Sequence, residues 1–352
     1  MVEKMKAAVW HGVKDVRVEE VDVPEVSGRH VLVAVRWAGI CGSDLHEYQE
    51  GPVFIPVDAP DGLTGGHAPL TMGHEFSGEV VALGDDVTRD LAVGQQVVVN
   101  PTITHGDKPD NIDVYDGYSF IGLSRDGGFT KYVEVPEENI YTVPGSLPLK
   151  HAALIEPTAV AVQAVKESGL TFGQTAVIYG AGPIGVLTAA AAKAAGATKI
   201  VVVDLSQVRL NKALEMGATD VINAGSVDAV TALHDILPEG ADVAFEVAGV
   251  QKTFEQAIDS TRPRGTMVIV SIFAHAISFD PMQLINAGIH ITSTIAYSRE
   301  TFQQTVDLVA SGQLNVAPVI TKEIALDDIV TDGFESLSSD KSQAKILVDL
   351  DR

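Results

Sequence analysis

The feature that most constrains this chain is Gly180-Ala181-Gly182-Pro183-Ile184-Gly185, a G-x-G-x-x-G run. It follows the apolar stretch Thr175-Ala176-Val177-Ile178-Tyr179 directly and opens an alanine-rich one. A glycine-rich turn alone is a weak signal; between a strand and a helix each of its residues acquires a task. Gly180 permits the tight turn, Gly182 lets the backbone approach a pyrophosphate, and Gly185 allows the helix to pack closely on the strand. Pro183 and Ile184 stand at the helix start, whose free amides face phosphate groups. Asp204 ends the next β-branched run, 24 residues after Gly180. A carboxylate there accepts hydrogen bonds from an adenosine ribose and repels a 2′-phosphate, so the pattern predicts NAD rather than NADP. Arg209, five residues further on, reads as a surface charge or a contact to the adenosine side.

Around that motif, continuous β-branched runs interleave with helical stretches: Ile200-Val201-Val202-Val203, Val221-Ile222, Val243-Ala244-Phe245-Glu246-Val247, Met267-Val268-Ile269-Val270 and His290-Ile291-Thr292-Ser293-Thr294. Runs of this kind predict a parallel sheet covered on both faces, a doubly wound α/β fold. The first hundred residues read differently. Short alternating runs such as Val31 to Arg36 and Gln96 to Val99, separated by Gly, Pro and Asp, predict strands and turns. Asn100 to Phe129 reads as a long surface loop, and a helix from Thr301 with a strand at Ala344 to Val348 closes the chain.

At 352 residues the chain is long enough for two domains, and 46% hydrophobic with 20% charged residues is ordinary globular composition. The balance of 24 Lys+Arg against 47 Asp+Glu, a net charge of −23, repels phosphate backbones and anionic headgroups. Neither nucleic acid nor membrane is an expected partner. The only cysteine is Cys41, so an intrachain disulfide or a multi-cysteine zinc site cannot form, which points to the cytoplasm. The amino end lacks the apolar stretch of a secretory signal.

Cys41 acquires meaning from its neighbours. It lies in Gly39-Ile40-Cys41-Gly42-Ser43-Asp44-Leu45-His46; Gly73-His74-Glu75-Phe76-Ser77-Gly78 offers an imidazole and a carboxylate, and Glu156 precedes Pro157 where the nucleotide-binding region begins. Three mixed S, N and O ligands with one open position suit catalytic zinc, so Cys41, His74 and Glu156 are the expected ligands. Glu75 reads as an alternate ligand, as a base behind the ligands, or as a turn carboxylate with no metal contact.

These segments, with Asp126-Gly127-Gly128-Phe129-Thr130-Lys131-Tyr132 and Glu156-Pro157-Thr158-Ala159-Val160-Ala161, together resemble the zinc-dependent medium-chain alcohol and polyol dehydrogenases, and most of all their 2,3-butanediol dehydrogenase branch. The resemblance covers nearly the whole chain. It implies a mainly β, GroES-like barrel catalytic domain at 1–157, an inserted Rossmann domain at 158–296, and a return segment of the catalytic domain at 297–352. It implies NAD(H)-dependent interconversion of 2,3-butanediol and acetoin, with diacetyl as a further substrate, through alkoxide formation on zinc and hydride transfer. It further implies that Ser43 and His46 carry the released proton toward solvent, that Asp44 supports the metal, and that the assembly is a homodimer or homotetramer. Many members hold a structural zinc with four cysteines in the loop corresponding to 100–129. That loop has none here, so one catalytic zinc per chain and no structural zinc are expected; His105 reads as a polar loop residue. Tyr48, Phe54, Phe120, Ile295 and Tyr297 are candidate pocket walls that core packing explains equally well. The alternatives are a sorbitol or other polyol dehydrogenase acting on a secondary alcohol, vicinal diol or hydroxyketone, and a zinc-free nucleotide-binding protein without activity.

Overall fold

A computed structural model describes residues 3–105, 113–340 and 342–352; part of the 100–129 loop therefore lies outside the described residues. The chain forms two compact units. The first comprises Met1–Glu156, Ser298–Ala310 and Ile320–Arg352, the second Pro157–Tyr297 with Ser311–Val319. The stretch Ser311–Val319, expected in the return segment, belongs to the second unit because the turn Ala317–Val319 packs on the helices Pro183–Ala194 and Gln207–Met216.

In the first unit the strand His30–Gly39 is central. It pairs antiparallel with Glu75–Leu83 on one side, where Gly39 faces Glu75, and with Lys345–Asp349 on the other, where Gly39 faces Leu347. Alternation explains the strand: Val31, Val33 and Val35 point into a core with Phe76, Val97, Phe129, Ile346 and Val348. Ile320–Ala325 extends the sheet beyond Lys345–Asp349, while Gln96–Val99 and Ile140–Thr142 extend it beyond Glu75–Leu83. Two of its strands thus come from the carboxyl end of the chain. The long loop contains more order than its sequence suggested: Thr102–Thr104 pairs antiparallel with Tyr118–Phe120. Three-residue strands are too short to leave a readable alternation.

The second unit holds a six-stranded parallel sheet. Its spatial order is Asp220–Asn223, Lys199–Asp204, Thr175–Tyr179, Ala241–Glu246, Thr261–Ile269, His290–Ser293. In chain order this is third, second, first, fourth, fifth, sixth, the doubly wound arrangement with its reversal beside Thr175–Tyr179. Val177, Val201 and Val202 have no exposed surface, as a sheet covered on both faces requires. Among the described residues no helix is long and apolar enough to cross a membrane.

Candidate active site

The central strand of the first unit ends at Gly39, and its register brings three distant segments together. Glu75 lies across from Gly39 on one side, and the pairing on the other, continued two residues, brings Lys345 across from Cys41. Cys41 then caps the helix Gly42–Glu50. Its amide donates to Asp44 Oδ2 at 2.9 Å, satisfying one of the donors a helix start leaves open.

His74 follows Gly73, whose φ of +98° is a backbone state that glycine tolerates and other residues resist. A side chain on Gly73 would also meet the Phe129 ring at 2.7 Å. This turn aims His74 inward: Nδ1 lies 3.3 Å from Asp44 Oδ1, and Nε2 lies 3.2 Å from Ser43 Oγ. Asp44 is wholly buried and thereby steadies both the Cys41 backbone and the His74 ring. Burial opposes a charge on His74, but the Asp44 carboxylate and the Cys41 sulfur beside it outweigh burial and hold its pKa well above 6.5. A metal ion would take the place of that proton, since ligation uses the neutral ring.

The donor atoms of Cys41, His74 and Glu75 all lie within 4.8 Å of one another. Both oxygens of Glu75 are engaged at 2.7 Å by the buried ammonium of Lys345, which also donates to the Ile40 carbonyl at 3.0 Å. Glu156 is buried in the first turn of the helix Ile155–Ser168 and is not among the three clustered donors, although its charge is felt at Lys345. The chemistry of this donor set fits zinc: a thiol, an imidazole and carboxylates, with the second ring nitrogen of His74 turned to the buried Asp44 carboxylate as metal-binding imidazoles commonly are.

Sequence reasoning did not single out Lys345. Its signal was available as a lone charge opening the apolar run Ile346-Leu347-Val348. Ser43 touches His74, and His46 lies exposed one turn further along the same helix. Tyr48 is core, stacked on Phe334 with ring centroids 5.1 Å apart. Phe54 and Phe120 pack against the same core, Tyr297 is buried and Ile295 half-buried within the second unit, and His105 is exposed.

In the second unit the glycine-rich turn runs from Gly180 into the helix Pro183–Ala194, with Gly182 as its N-cap and Pro183 in its first turn. A side chain on Gly185 would strike the Gly180 carbonyl at 1.9 Å, whereas one on Gly182 would meet nothing within 4 Å. The first observation explains the close helix packing; the second leaves room for a phosphate beside backbone amides. Ile184 is half-buried in the same helix. Asp204 accepts from Ala181 N through Oδ2 and from Ser206 N through Oδ1, both at 2.8 Å, so it ties the glycine turn to the end of its own strand. Arg209 is half-buried in the first turn of the helix that Ser206 caps. The turn and its carboxylate fit a dinucleotide.

Two family models and several known proteins match this chain. Residues 27–145 match the family described as "Alcohol dehydrogenase GroES-like domain" and residues 183–311 the family "Zinc-binding dehydrogenase". The chain is 45% identical over 347 residues to the (R,R)-butanediol dehydrogenase of Bacillus subtilis, covering 98% of this chain and 99% of that one. It is 33% identical over 332 residues to a sorbitol dehydrogenase of the same organism, covering 92% and 91%. The crystal structure of 2R,3R-butanediol dehydrogenase from Bacillus subtilis superposes with a TM-score of 0.93 at 43% identity, covering 98% of this chain and 99% of that chain.

Proposed function

Because the chain belongs to the zinc-binding alcohol dehydrogenase family, with the zinc and nicotinamide cofactor that this membership brings, we propose that it interconverts 2,3-butanediol and acetoin with NAD(H) and also reduces diacetyl. The observation that carries the reading is the cluster of half-buried Cys41 with buried His74 and Glu75, with the charge of Glu156 felt at Lys345, which engages the Glu75 carboxylate. The short diol is favoured over sorbitol by the higher identity to the butanediol enzyme over a larger share of the chain. The (R,R) isomer named for that relative is the expected substrate.

Cys41 and His74 hold the metal with Glu156 as the expected third ligand; Glu75, whose oxygen lies with the donors of Cys41 and His74, is the alternate one, and the Lys345 ammonium engages both its oxygens. When bound, zinc makes an alcohol hydroxyl acidic near neutral pH, and the nicotinamide ring exchanges a hydride with the carbon. Asp44 orients His74 and the Cys41 backbone. Ser43 Oγ takes part in moving the hydroxyl proton, and His46, exposed on the same helix, delivers it to water. Asp204 selects NAD by repelling a 2′-phosphate. The loop 100–129 has no cysteine, which supports one zinc per chain and no structural zinc.

A cytoplasmic homo-oligomer, dimer or tetramer, is the proposed assembly. The strand His290–Ser293 ends its sheet, and Ile272, Met282 and Ile285 nearby expose apolar surface that a second copy would cover.

The test is NAD reduction with separated butanediol stereoisomers, sorbitol and xylitol, before and after chelation, with metal analysis of the same samples. Stoichiometric zinc, (R,R)-butanediol as the fastest substrate and loss of turnover on chelation are expected. Undiminished activity in a metal-free sample would overturn the zinc reading, and faster turnover on sorbitol the substrate.

A further inference from the structure

Glu246 ends the strand Ala241–Glu246 and has no exposed surface, yet the reaction above makes no use of its carboxylate. Oε1 accepts from the amides of Ala248 and Gly249, both at 2.9 Å, and from the Thr253 hydroxyl at 2.7 Å. Oε2 accepts from the Ser271 hydroxyl, and the backbone carbonyl accepts from Val270 N at 3.0 Å. Burying a carboxylate is costly unless donors surround it, and here they do. They come from three places: the turn after its own strand, the helix Gln251–Ser260, and the residues just beyond the neighbouring strand Thr261–Ile269.

This convergence occurs at the reversal of strand order, where Ala241–Glu246 adjoins Thr175–Tyr179. In open α/β sheets the ligand crevice lies outside the carboxyl ends of the strands at that point. Val247 N donates to the Tyr179 carbonyl at 2.9 Å. A side chain on Gly180 would come within 3.1 Å of the Val247 carbonyl and 3.2 Å of Ala248 N. The turn 247–249 is thus the wall against which the phosphate-binding turn stands, and Glu246 is what fixes that wall.

We propose that Glu246 is a positioning residue for the dinucleotide: its carboxylate holds the Val247–Gly249 turn and Ser271 where the cleft beside Gly180 accepts the cofactor. The inference rests on the reading that this chain binds a nicotinamide dinucleotide. Glu246→Gln keeps the size of the side chain but removes its charge: the Ser271 hydroxyl can turn to accept from the new amide group, while Ala248 N, Gly249 N and the Thr253 hydroxyl then donate to a neutral oxygen and hold the turn more weakly. Ser271→Ala removes a single bond and keeps the test decidable if the Gln variant fails to fold.

The experiment is a fluorescence titration of the zinc-loaded full chain with NADH, with KM for NAD, kcat and melting temperature measured alongside. Glu246→Gln is expected to raise both the NADH Kd and the KM for NAD about tenfold, the scale of one charge-assisted hydrogen bond, with kcat within about twofold. Ser271→Ala, which takes the donor from Oε2, is expected to raise Kd about threefold with a smaller fall in melting temperature than Glu246→Gln. Folded variants that bind NADH as tightly as the parent, whatever their melting temperatures, overturn this inference alone. A parent chain that binds no NADH removes the cofactor reading and this inference with it.

Discussion

The Lys345 ammonium lies 2.7 Å from both carboxylate oxygens of Glu75, and neither residue has more than a trace of exposed surface. Burial alone would strip the proton from such a lysine; the charges of Glu75, Cys41 and Glu156 more than reverse that and raise its pKa above the ordinary 10.5. The ammonium form of Lys345 is therefore favoured in the core despite its burial. Its partners come from opposite ends of the chain, joined only because both flank the strand that ends at Gly39.

Removing one member of such a pair strands the other. Lys345→Met is expected to destabilise the metal-free protein by about 3–5 kcal/mol, because it leaves the Glu75 carboxyl buried without the partner that engages both its oxygens. Adding Glu75→Gln should recover most of that loss, since the double variant buries no unpaired charge. Urea unfolding of the parent, both single variants and the double variant checks this; additive losses would show that the two groups do not interact energetically.

Asp44 acts on two expected ligands at once, through the Cys41 amide and the His74 ring. Residues that orient metal ligands typically contribute about 10–100-fold to metal affinity. Asp44→Asn is expected to weaken zinc binding by about that factor, measured by competition with a chelator. Because the carboxylate also opposes the effect of burial on His74, the variant's imidazole pKa should fall, visible by NMR titration of the metal-free protein. Unchanged zinc affinity would leave Asp44 as a helix cap only.

The second unit was legible because its signals are local. A strand, three glycines and an acid at a fixed offset lie within 25 residues, from Gly180 to Asp204, and each acts on backbone close to it in the chain or on the adjoining strand. The metal cluster was legible only in part. Cys41 and His74 announce themselves through glycine-flanked turns, whereas Lys345 enters by pairing of strands more than 300 residues apart, and no periodicity encodes that. The same limit explains Glu75, whose role depends on what lies across the sheet from it. It also explains the hairpin at Thr102–Thr104, too short to show a period, and Glu246, which reads as one polar interruption in an apolar strand.

A different buried acid contributes to the response to low pH. Glu137 has no exposed surface, and burial alone would raise its pKa; the amides of Arg89 and Thr88, the Arg29 guanidinium and the Thr88 hydroxyl overcome this and lower it from 4.5 to about 2. A depressed carboxylate contributes stability that is complete above its unfolded-state pKa and is lost as pH falls through the folded-state one. The parent should therefore lose stability between 4.5 and about 2. Glu137→Gln is expected to be less stable by about 2 kcal/mol near pH 7 and to flatten that acid dependence, read from urea midpoints across the range. A variant with the parent's acid slope would show that other carboxylates govern it.

Asp204 bears on cofactor choice in two ways that one substitution separates. Its oxygens accept from Ala181 N and Ser206 N, so it shapes the glycine turn, and on the proposed reading its charge would repel a 2′-phosphate on a bound cofactor. Asn preserves one carbonyl acceptor and removes the charge. If repulsion dominates, Asp204→Asn should lower the KM for NADP by about tenfold while the KM for NAD rises by less. If the ties to the turn dominate, both KM values should rise together and the preference should stay. The ratio of kcat/KM for NAD and NADP in parent and variant distinguishes the two. Repulsion is the expected winner: the charge is lost outright, whereas the Asn carbonyl still accepts from one of the two amides.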